Sequence, residues 1–270
     1  MLGISTATAS DEFVVGAPKQ DSNGTDSGSV FVYSGATGAQ IHKHDGDAAG
    51  DQFGFAAAGV GDVSNNGTVD YAIGAPFNNN AGANAGRVKF FDGINFGLIK
   101  TIDGDAAGDR FGSAISTIPI GDFVGGVAIG APYNNSNGAN SGRVNVYWSQ
   151  GLPPAYTLNG NSAGDLFGTS IANVWGNRLL VGSPGNNSAT GSASLVNSVT
   201  GATVHTFHGL NPGEQFGASV AYGGQQGSLF GGFTYSLLIG SPLHSQGAHG
   251  ARRDERLRSR YLYIRGLYSW

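Results

Sequence analysis

The sequence has no cysteine, few charged residues and no long apolar run, and each absence narrows its class. Without cysteine there is no disulfide framework, and the redox compartment cannot be inferred. Charged residues make up only 12% of the chain, so we expect a surface of Asn, Ser, Thr and Gly, which is typical of secreted or surface-displayed proteins. No run approaches the ~18 apolar residues of a membrane span. Residues 1–9 lack the basic and apolar regions of a signal peptide.

The net charge of −4 conceals two oppositely charged parts. Residues 1–250 carry 16 acidic and 8 basic residues, a net −8, whereas residues 251–270 carry two acidic residues and six arginines, a net +4. An acidic body without a basic stripe predicts no nucleic-acid partner. The arginine-rich tail is either a basic peptide for anionic surfaces or the product of a shifted reading frame. The second is favoured because the change in composition falls inside a repeat.

Glycine is abundant, at 47 of 270 residues, and much of it lies in a two-part mark that recurs along the chain. The first part is Phe-Gly at Phe53, Phe111, Phe167 and Phe216, with Leu2-Gly3 as a weaker first copy. The second part is an apolar run ending in Gly-Ala-Pro or Gly-Ser-Pro, with its glycine at Gly16, Gly74, Gly130, Gly182 and Gly240. Spacings of 51, 58, 56 and 49 residues between the first marks indicate a repeat architecture. We interpret both marks as packing devices, because glycine permits close backbone approach and proline ends a strand.

The second repeat predicts four strands, at Gln52–Val60, Tyr71–Gly74, Arg87–Phe91 and Leu98–Ile102. Four antiparallel strands in a unit of this length are typical of a β-propeller blade. The predicted blades are 1–52, 53–110, 111–166, 167–215 and an incomplete 216–250. Tyr261–Arg265 is a possible late third strand of the last blade, with no fourth strand after it.

Phe-Gly followed by Gly-Ala-Pro resembles the FG-GAP repeat of the integrin α-subunit head, and also the propeller of phosphatidylinositol-glycan-specific phospholipases D. The resemblance covers residues 1–250 and implies an all-β propeller with about five blades, a fragment of a seven-bladed ring. It further implies an extracellular or cell-surface location and a non-catalytic recognition or adhesion module. The alternatives are the accessory propeller of a hydrolase whose catalytic domain is absent, and a truncated product without independent function. No nucleophile elbow, paired carboxylates or phosphate loop is found, so we expect no enzymatic activity.

The resemblance also implies calcium, bound in the loop between the first and second strands of a blade. The second repeat retains the alternate spacing of oxygen ligands, on the side chains of Asp62, Ser64, Asn66 and Asp70 and the carbonyl of Thr68. Alternate oxygens around a glycine turn suit a hard cation, and two carboxylates predict weak binding. A plain Asn-Gly turn without metal is the alternative.

In an antiparallel blade, the loops from the second to the third strand open on one face. These loops carry an aromatic residue followed by an amide, Phe77-Asn78 and Tyr133-Asn134, which predicts a protein or carbohydrate ligand on that face. Solvated turns with one shielding aromatic are the alternative. The carboxylates two residues before each Phe-Gly are predicted to cap local backbone amides; they are Asp51, Asp109, Asp165 and Glu214.

Four Asn-x-Ser/Thr sequons are candidates for N-glycosylation if the chain is secreted by a eukaryote. Their acceptor residues are Asn23, Asn66, Asn134 and Asn186. In so asparagine-rich a sequence, some of these triplets are expected by chance.

Overall fold

A computed structural model describes residues 3–5, 12–120, 123–148, 153–227, 233–243 and 260–268, and these residues form an all-β fold of five antiparallel sheets. The first sheet contains β1 (Gly3–Ser5), β2 (Glu12–Ala17), β3 (Ser29–Ser34) and β4 (Gln40–Asp45). The second contains β5 (Ala56–Gly61), β6 (Asp70–Ala75), β7 (Arg87–Phe91) and β8 (Leu98–Asp103). The third contains β9 (Ala114–Ile120), β10 (Phe123–Ala131), β11 (Arg143–Trp148) and β12 (Tyr156–Asn159).

The fourth sheet contains β13 (Ser170–Val174), β14 (Arg178–Ser183), β15 (Ser192–Asn197) and β16 (Thr203–His208). The fifth contains β17 (Ser219–Gly227), β18 (Phe233–Ser241) and β19 (Arg260–Tyr268), and a single turn, α1 (Asn186–Ala189), separates β14 from β15. Within each sheet the strands lie side by side in chain order. The all-β prediction is therefore confirmed.

The strands of the second repeat agree with the prediction except at the start of the first one. β7 has the predicted bounds, and β6 and β8 differ from theirs by a residue or two. β5 begins at Ala56, four residues later than predicted. Gly54 has φ +90°, a left-handed conformation that does not continue a strand.

Part of the arginine-rich tail belongs to the fifth sheet. β19 pairs with β18 along its whole length, and Tyr261 lies opposite Gly240. The prediction of a late third strand at Tyr261–Arg265 is confirmed, and the sheet has no fourth strand among the described residues. Residues 251–259, which hold most of the tail's arginines, lie outside the described residues.

Strand register shows that Leu2-Gly3 is not the counterpart of Phe-Gly. In the second repeat the Gly-Ala-Pro glycine, Gly74, pairs with Ala56, two residues after Gly54. The third, fourth and fifth repeats show the same offset. In the first repeat Gly16 pairs with Gly3 itself. Gly3 therefore corresponds to Ala56, and the assignment of Leu2-Gly3 as a first mark was wrong by two residues.

The core lies between successive sheets rather than inside any one of them. Four buried apolar clusters each combine residues of two neighbouring sheets, and the first strands contact one another in the order β1, β5, β9, β13, β17. No comparable contact joins β17 to β1 in the described part of the chain. The phenylalanines of the Phe-Gly marks are all buried in these clusters. Each contributes about 1.5–3 kcal/mol by leaving water.

The two glycine marks meet at the junctions between sheets. The Gly54 N–H donates to the carbonyl of Gly74 in its own sheet, at 3.0 Å. A Cβ atom on Gly74 would overlap the carbonyl oxygen of Gly112 in the next sheet. The same close approach occurs where the Gly-Ala-Pro or Gly-Ser-Pro glycine of each of the first four repeats meets the Phe-Gly glycine of the next. This geometry supports the interpretation of both marks as packing devices.

Candidate functional site

The loops that follow Gly-Ala-Pro or Gly-Ser-Pro, here called the post-GAP loops, are held by buried asparagine–carboxylate pairs. Asn78 Nδ2 donates to Asp51 at 2.7 Å, and Asn134 Nδ2 donates to Asp109 at 2.8 Å. Both asparagines are buried, with 5% and 6% of their surface exposed. Their Oδ1 atoms accept backbone N–H groups two residues further on. Because these predicted ligand residues are used inside the loop, a ligand contact on this face would come from the neighbouring aromatic side chains.

The carboxylates before each Phe-Gly act as the sequence predicts at Asp165, which accepts the backbone N–H groups of Asn161 and Ser162 at 3.0 Å. Asp165 also accepts the amide of Asn186 at 3.0 Å. Burial raises the pKa of the Asp109 carboxyl above its ordinary value. These recurring carboxylates therefore hold the post-GAP loops in place by hydrogen bonds.

The residue before each of these Phe-Gly marks adopts a left-handed backbone although it is not glycine. The four residues are Gln52, Arg110, Leu166 and Gln215, with φ between +52° and +56°. Such a conformation costs about 1–2 kcal/mol. In each case the backbone N–H donates to a carbonyl in the preceding post-GAP loop, at 2.9–3.1 Å. Three of these four side chains line a single cavity.

This cavity, of about 340 Å³, opens where the post-GAP loops meet the starts of β9, β13 and β17. We call that end of the sheets the post-GAP face, and the end carrying the other loops the opposite face. The lining comes from four successive repeats and is mainly aromatic and aliphatic. Its principal side chains are Phe55, Phe77, Arg110, Tyr133, Leu166 and Gln215. Aromatic walls with a few polar groups are characteristic of ligand cavities.

Arg110 is the charged residue of the cavity lining, and it is held by aromatic rings. Its guanidinium carbon lies 4.0 Å from the centre of the Tyr133 ring and 4.9 Å from that of Phe77, within the range of cation–π attraction. Among the described residues no carboxylate pairs with it. Arg87 and Arg143, by contrast, form ion pairs with aspartates. Phe77 and Tyr133 thus line one cavity, and the prediction that they contact a ligand stays a prediction.

The predicted calcium loop of the second repeat brings three of its oxygen atoms together on the opposite face. Ser64 Oγ lies 3.5 Å from Asp62 Oδ1 and 3.2 Å from Asp70 Oδ1, separations that ligands of one calcium ion can share. Asp70 is fully buried and also accepts the backbone N–H groups of Val63, Ser64 and Gly93. These three oxygens fit a hard cation.

The other predicted ligands of this loop are arranged differently. Asn66 Oδ1 accepts the N–H and hydroxyl of Thr68, while its amide nitrogen donates to Asp92 at 2.7 Å. Although desolvation opposes ionisation, the backbone N–H groups of Gly67 and Asn66 hold the pKa of the Asp62 carboxyl below its ordinary value. Asp92 was missed by sequence reasoning because it lies outside the 62–70 spacing, on the β7–β8 loop. In the described residues no three His, Cys, Asp or Glu side chains are gathered as a metal-binding group.

All four sequon asparagines use their side-chain nitrogen inside the protein. Asn23 donates to the carbonyl of Gly46 at 2.7 Å. The donors Asn66, Asn134 and Asn186 each serve a carboxylate. Glycosylation at any of these nitrogens would therefore cost an internal hydrogen bond.

No protein-family model matches the sequence. The resemblance to FG-GAP repeats consequently rests on the two marks and their spacing. The described residues include no helix with the length and apolar character needed to cross a bilayer.

Proposed function

We propose that the five sheets are FG-GAP-type propeller blades, part of a larger ring, and that the chain is a non-catalytic recognition or adhesion module at the cell surface or outside the cell. The order of contacts among the first strands, β1 to β17, supports this architecture. So does the repetition of one glycine junction between successive sheets. Among the described residues the fifth sheet has three strands where the others have four, which agrees with a fragment of a ring.

The observation that carries the functional proposal is the cavity built from equivalent positions of four repeats. Side-chain hydrogen bonds between asparagines and carboxylates, two of them fully buried, support the post-GAP loops. The aromatic residues Phe77 and Tyr133 remain available at the cavity wall. Rigidly supported aromatic side chains are effective in recognising carbohydrates and apolar protein side chains. The proposed partner is thus a protein or carbohydrate ligand bound on the post-GAP face.

A binding survey with matched variants tests this proposal. Immobilised matrix proteins and glycans are screened with the wild-type chain, with Phe77→Ser/Tyr133→Ser, and with Ile94→Ser. Ile94 is 58% exposed and lies in the β7–β8 loop on the opposite face. We expect the double variant to weaken binding about tenfold or more, as loss of aromatic anchors does, and Ile94→Ser to leave it unchanged. Absence of any ligand, or equal binding by the double variant, would overturn the proposal.

We also propose that calcium binds weakly in the second-repeat loop and stabilises it. The convergence of oxygens from Asp62, Ser64 and Asp70 supports a hard cation there. A bound ion would replace the hydrogen bonds between Ser64 and the two carboxylates, and its charge would offset their repulsion. The role is structural, since the loop lies on the opposite face from the cavity.

A further inference from the structure

Arg110 differs from Arg87 and Arg143 in what neutralises its charge. Arg87 contacts Asp103 at 2.6 Å and Asp47 at 3.2 Å, and Arg143 contacts Asp105 at 3.0 Å. The described residues offer Arg110 two aromatic rings and no acid. Ring faces attract the cation but accept none of the in-plane N–H bonds that a carboxylate takes in pairs. The hydrogen-bonding edge of this guanidinium is therefore available to an anion.

The rest of the cavity determines what kind of anion would fit. Its walls include Phe55, Leu166, Pro132 and Pro184, which favour an apolar body. Hydroxyl groups in the lining come from Ser113, Tyr133 and Thr169. One cation balances one negative charge, and a dianion such as phosphate would leave an excess charge among apolar groups, which is costly. At about 340 Å³, the cavity lies at the lower end of the range for small-molecule sites.

We propose that this cavity binds an apolar monocarboxylate, with the carboxylate on the Arg110 guanidinium and an aromatic or branched aliphatic body against the Phe55, Phe77 and Tyr133 side. The inference rests on the proposed recognition function of the post-GAP face and names the chemistry that this face selects. Two sources share that chemistry: a free carboxylic acid, and the C-terminus of a peptide that ends in an apolar residue.

The repeats themselves supply a matched variant for the test. Gln52 and Gln215 occupy the position of Arg110, directly before the Phe-Gly marks at Phe53 and Phe216, with φ of +52° and +56° against +53° for Arg110. Arg110→Gln therefore removes the charge with a residue that the same backbone conformation already accommodates. Lys19→Gln is the control for loss of a cation elsewhere, since the Lys19 side chain is 66% exposed and forms a surface ion pair with Asp26.

The measurement is a calorimetric or NMR titration of the full chain with 3-phenylpropionate and, as the neutral control, 3-phenylpropanamide. We expect a dissociation constant of about 0.1–1 mM for the acid, in keeping with a ligand of this size. The amide should bind at least about tenfold more weakly, and Arg110→Gln should weaken acid binding by a similar factor, because each change removes the charge-assisted pair. Lys19→Gln should bind like the wild type. Equal binding of the acid by wild type and Arg110→Gln would overturn the inference, and so would the absence of binding at about 10 mM, a concentration at least about tenfold above the expected dissociation constant.

Peptides distinguish the two sources. A hexapeptide ending in Phe with a free carboxylate is compared with its C-terminal amide. Tighter binding of the free-carboxylate peptide than of 3-phenylpropionate would identify a peptide C-terminus as the ligand, and equal or weaker binding would identify a free acid. If 3-phenylpropionate binds but no protein or glycan is captured in the survey, the carboxylate site stands and the adhesion function fails. If a macromolecule is captured through Phe77 and Tyr133 while Arg110→Gln has no effect, the recognition function stands and the carboxylate inference fails.

Discussion

The post-GAP face and the opposite face differ in how closely their loops repeat along the chain. On the post-GAP face the same backbone bonds recur: the Phe53 N–H donates to Ser27, and its counterparts in the next three repeats make equivalent bonds at 3.0–3.1 Å. On the opposite face the turns differ. β5 and β6 are joined by a carboxylate-bearing loop, whereas β13 and β14 are joined by a three-residue turn at Trp175. The post-GAP loops contact the neighbouring sheet, which constrains their structure. The loops of the opposite face close hairpins within one sheet, so their length and sequence can vary.

This difference bears on where function can arise. Although the fourth post-GAP loop contains α1, the backbone bonds at the Phe-Gly marks recur, and chemical differences at these positions come from side chains such as Arg110, where the equivalent residues are Gln52, Leu166 and Gln215. On the opposite face a whole loop can change, as at Asp62–Asp70. The proposed ligand cavity, assembled from equivalent positions of several repeats, and the proposed calcium loop of the second repeat are the outcomes expected of these two modes.

Gly74→Ala should disrupt the junction between the second and third sheets, and we expect it to lower the free energy of unfolding more than any other change proposed here. A Cβ atom there overlaps the Gly112 carbonyl, and backbone on both sides prevents relief. We expect a loss of about 3 kcal/mol or more in the free energy of unfolding, at or above the upper end of the usual cost of overpacking, measured by urea denaturation. The control is Gly67→Ala on the opposite face, where a Cβ meets nothing and only the positive φ of +88° is unfavourable, at a cost of about 1–2 kcal/mol. Equal losses for the two variants would contradict the comparison.

The sequence predicted the junctions better than it predicted the site. The two glycine marks indicated packing because their spacing and residue types are local signals, and β6 and β7 formed close to where alternation and apolar runs placed them. The carboxylate at Asp109 was expected to cap a backbone group, but its bond to Asn134 was not foreseen. These residues are 25 apart, and only loop closure brings them together.

The cavity could not be predicted for the same reason. Phe77, Arg110 and Tyr133 come from different segments of the chain, and Arg110 contacts the two rings from a backbone with positive φ. Nothing in the sequence around Arg110 marks that conformation except its position before Phe-Gly. The register of β1 was also mistaken, because Leu2-Gly3 resembles the mark in composition while lying two residues out of phase.

Asp109→Ala should loosen one post-GAP loop without breaking the junction. It removes the acceptor of the buried Asn134 amide, and an unsatisfied buried donor costs about 1–3 kcal/mol. Asp105→Ala is the control, since Asp105 is 60% exposed and forms a surface ion pair with Arg143, of a kind worth about 0–1 kcal/mol. Chemical denaturation measures both. If Asp105→Ala were the more destabilising change, the buried pair would not be what supports the loop.

Acidification should weaken the junction between the first and second sheets, because it protonates His44. Burial, with His42 and Lys89 nearby, lowers the pKa of His44 to about 4, and its Nε2 lies 2.7 Å from the Tyr71 hydroxyl. The unfolded chain binds the proton near pH 6.5. The stability that neutral His44 gives the folded protein is therefore fully present above pH 6.5 and is lost as pH falls from about 6.5 to about 4. Because the ring is partly exposed, we expect a loss of about 1–2 kcal/mol rather than the full linkage value.

The matched variant is His44→Gln, which keeps a polar partner for Tyr71 but cannot titrate. Urea denaturation at pH 7.5 and pH 5 should show a smaller acid loss in the variant than in the wild type. An identical loss in both proteins would assign the pH dependence to other groups.

Calcium should have the smallest effect on stability, and its proposed loop lies on the opposite face. With a dissociation constant near 1 mM, about 5 mM calcium adds about 1 kcal/mol to the folded state, which corresponds to a rise of roughly 2–4 °C in the melting temperature of a chain of this size. Asp62→Asn keeps one oxygen acceptor for the Gly67 N–H, which Asp62 Oδ2 now binds at 2.8 Å, but it loses the acceptor that Asp62 Oδ1 offers to the Asn66 N–H at 2.9 Å and removes one of the charges that an ion requires. The variant should therefore melt slightly below the wild type without calcium and show no rise with it. Magnesium should substitute poorly, because a loop of this kind does not impose tight octahedral geometry.

Asp122→Ala, in the corresponding third-repeat segment outside the described residues, should retain the full calcium response. A wild-type protein whose melting temperature and calorimetric trace ignore calcium would leave residues 62–70 as an Asn-Gly turn closed by its own hydrogen bonds.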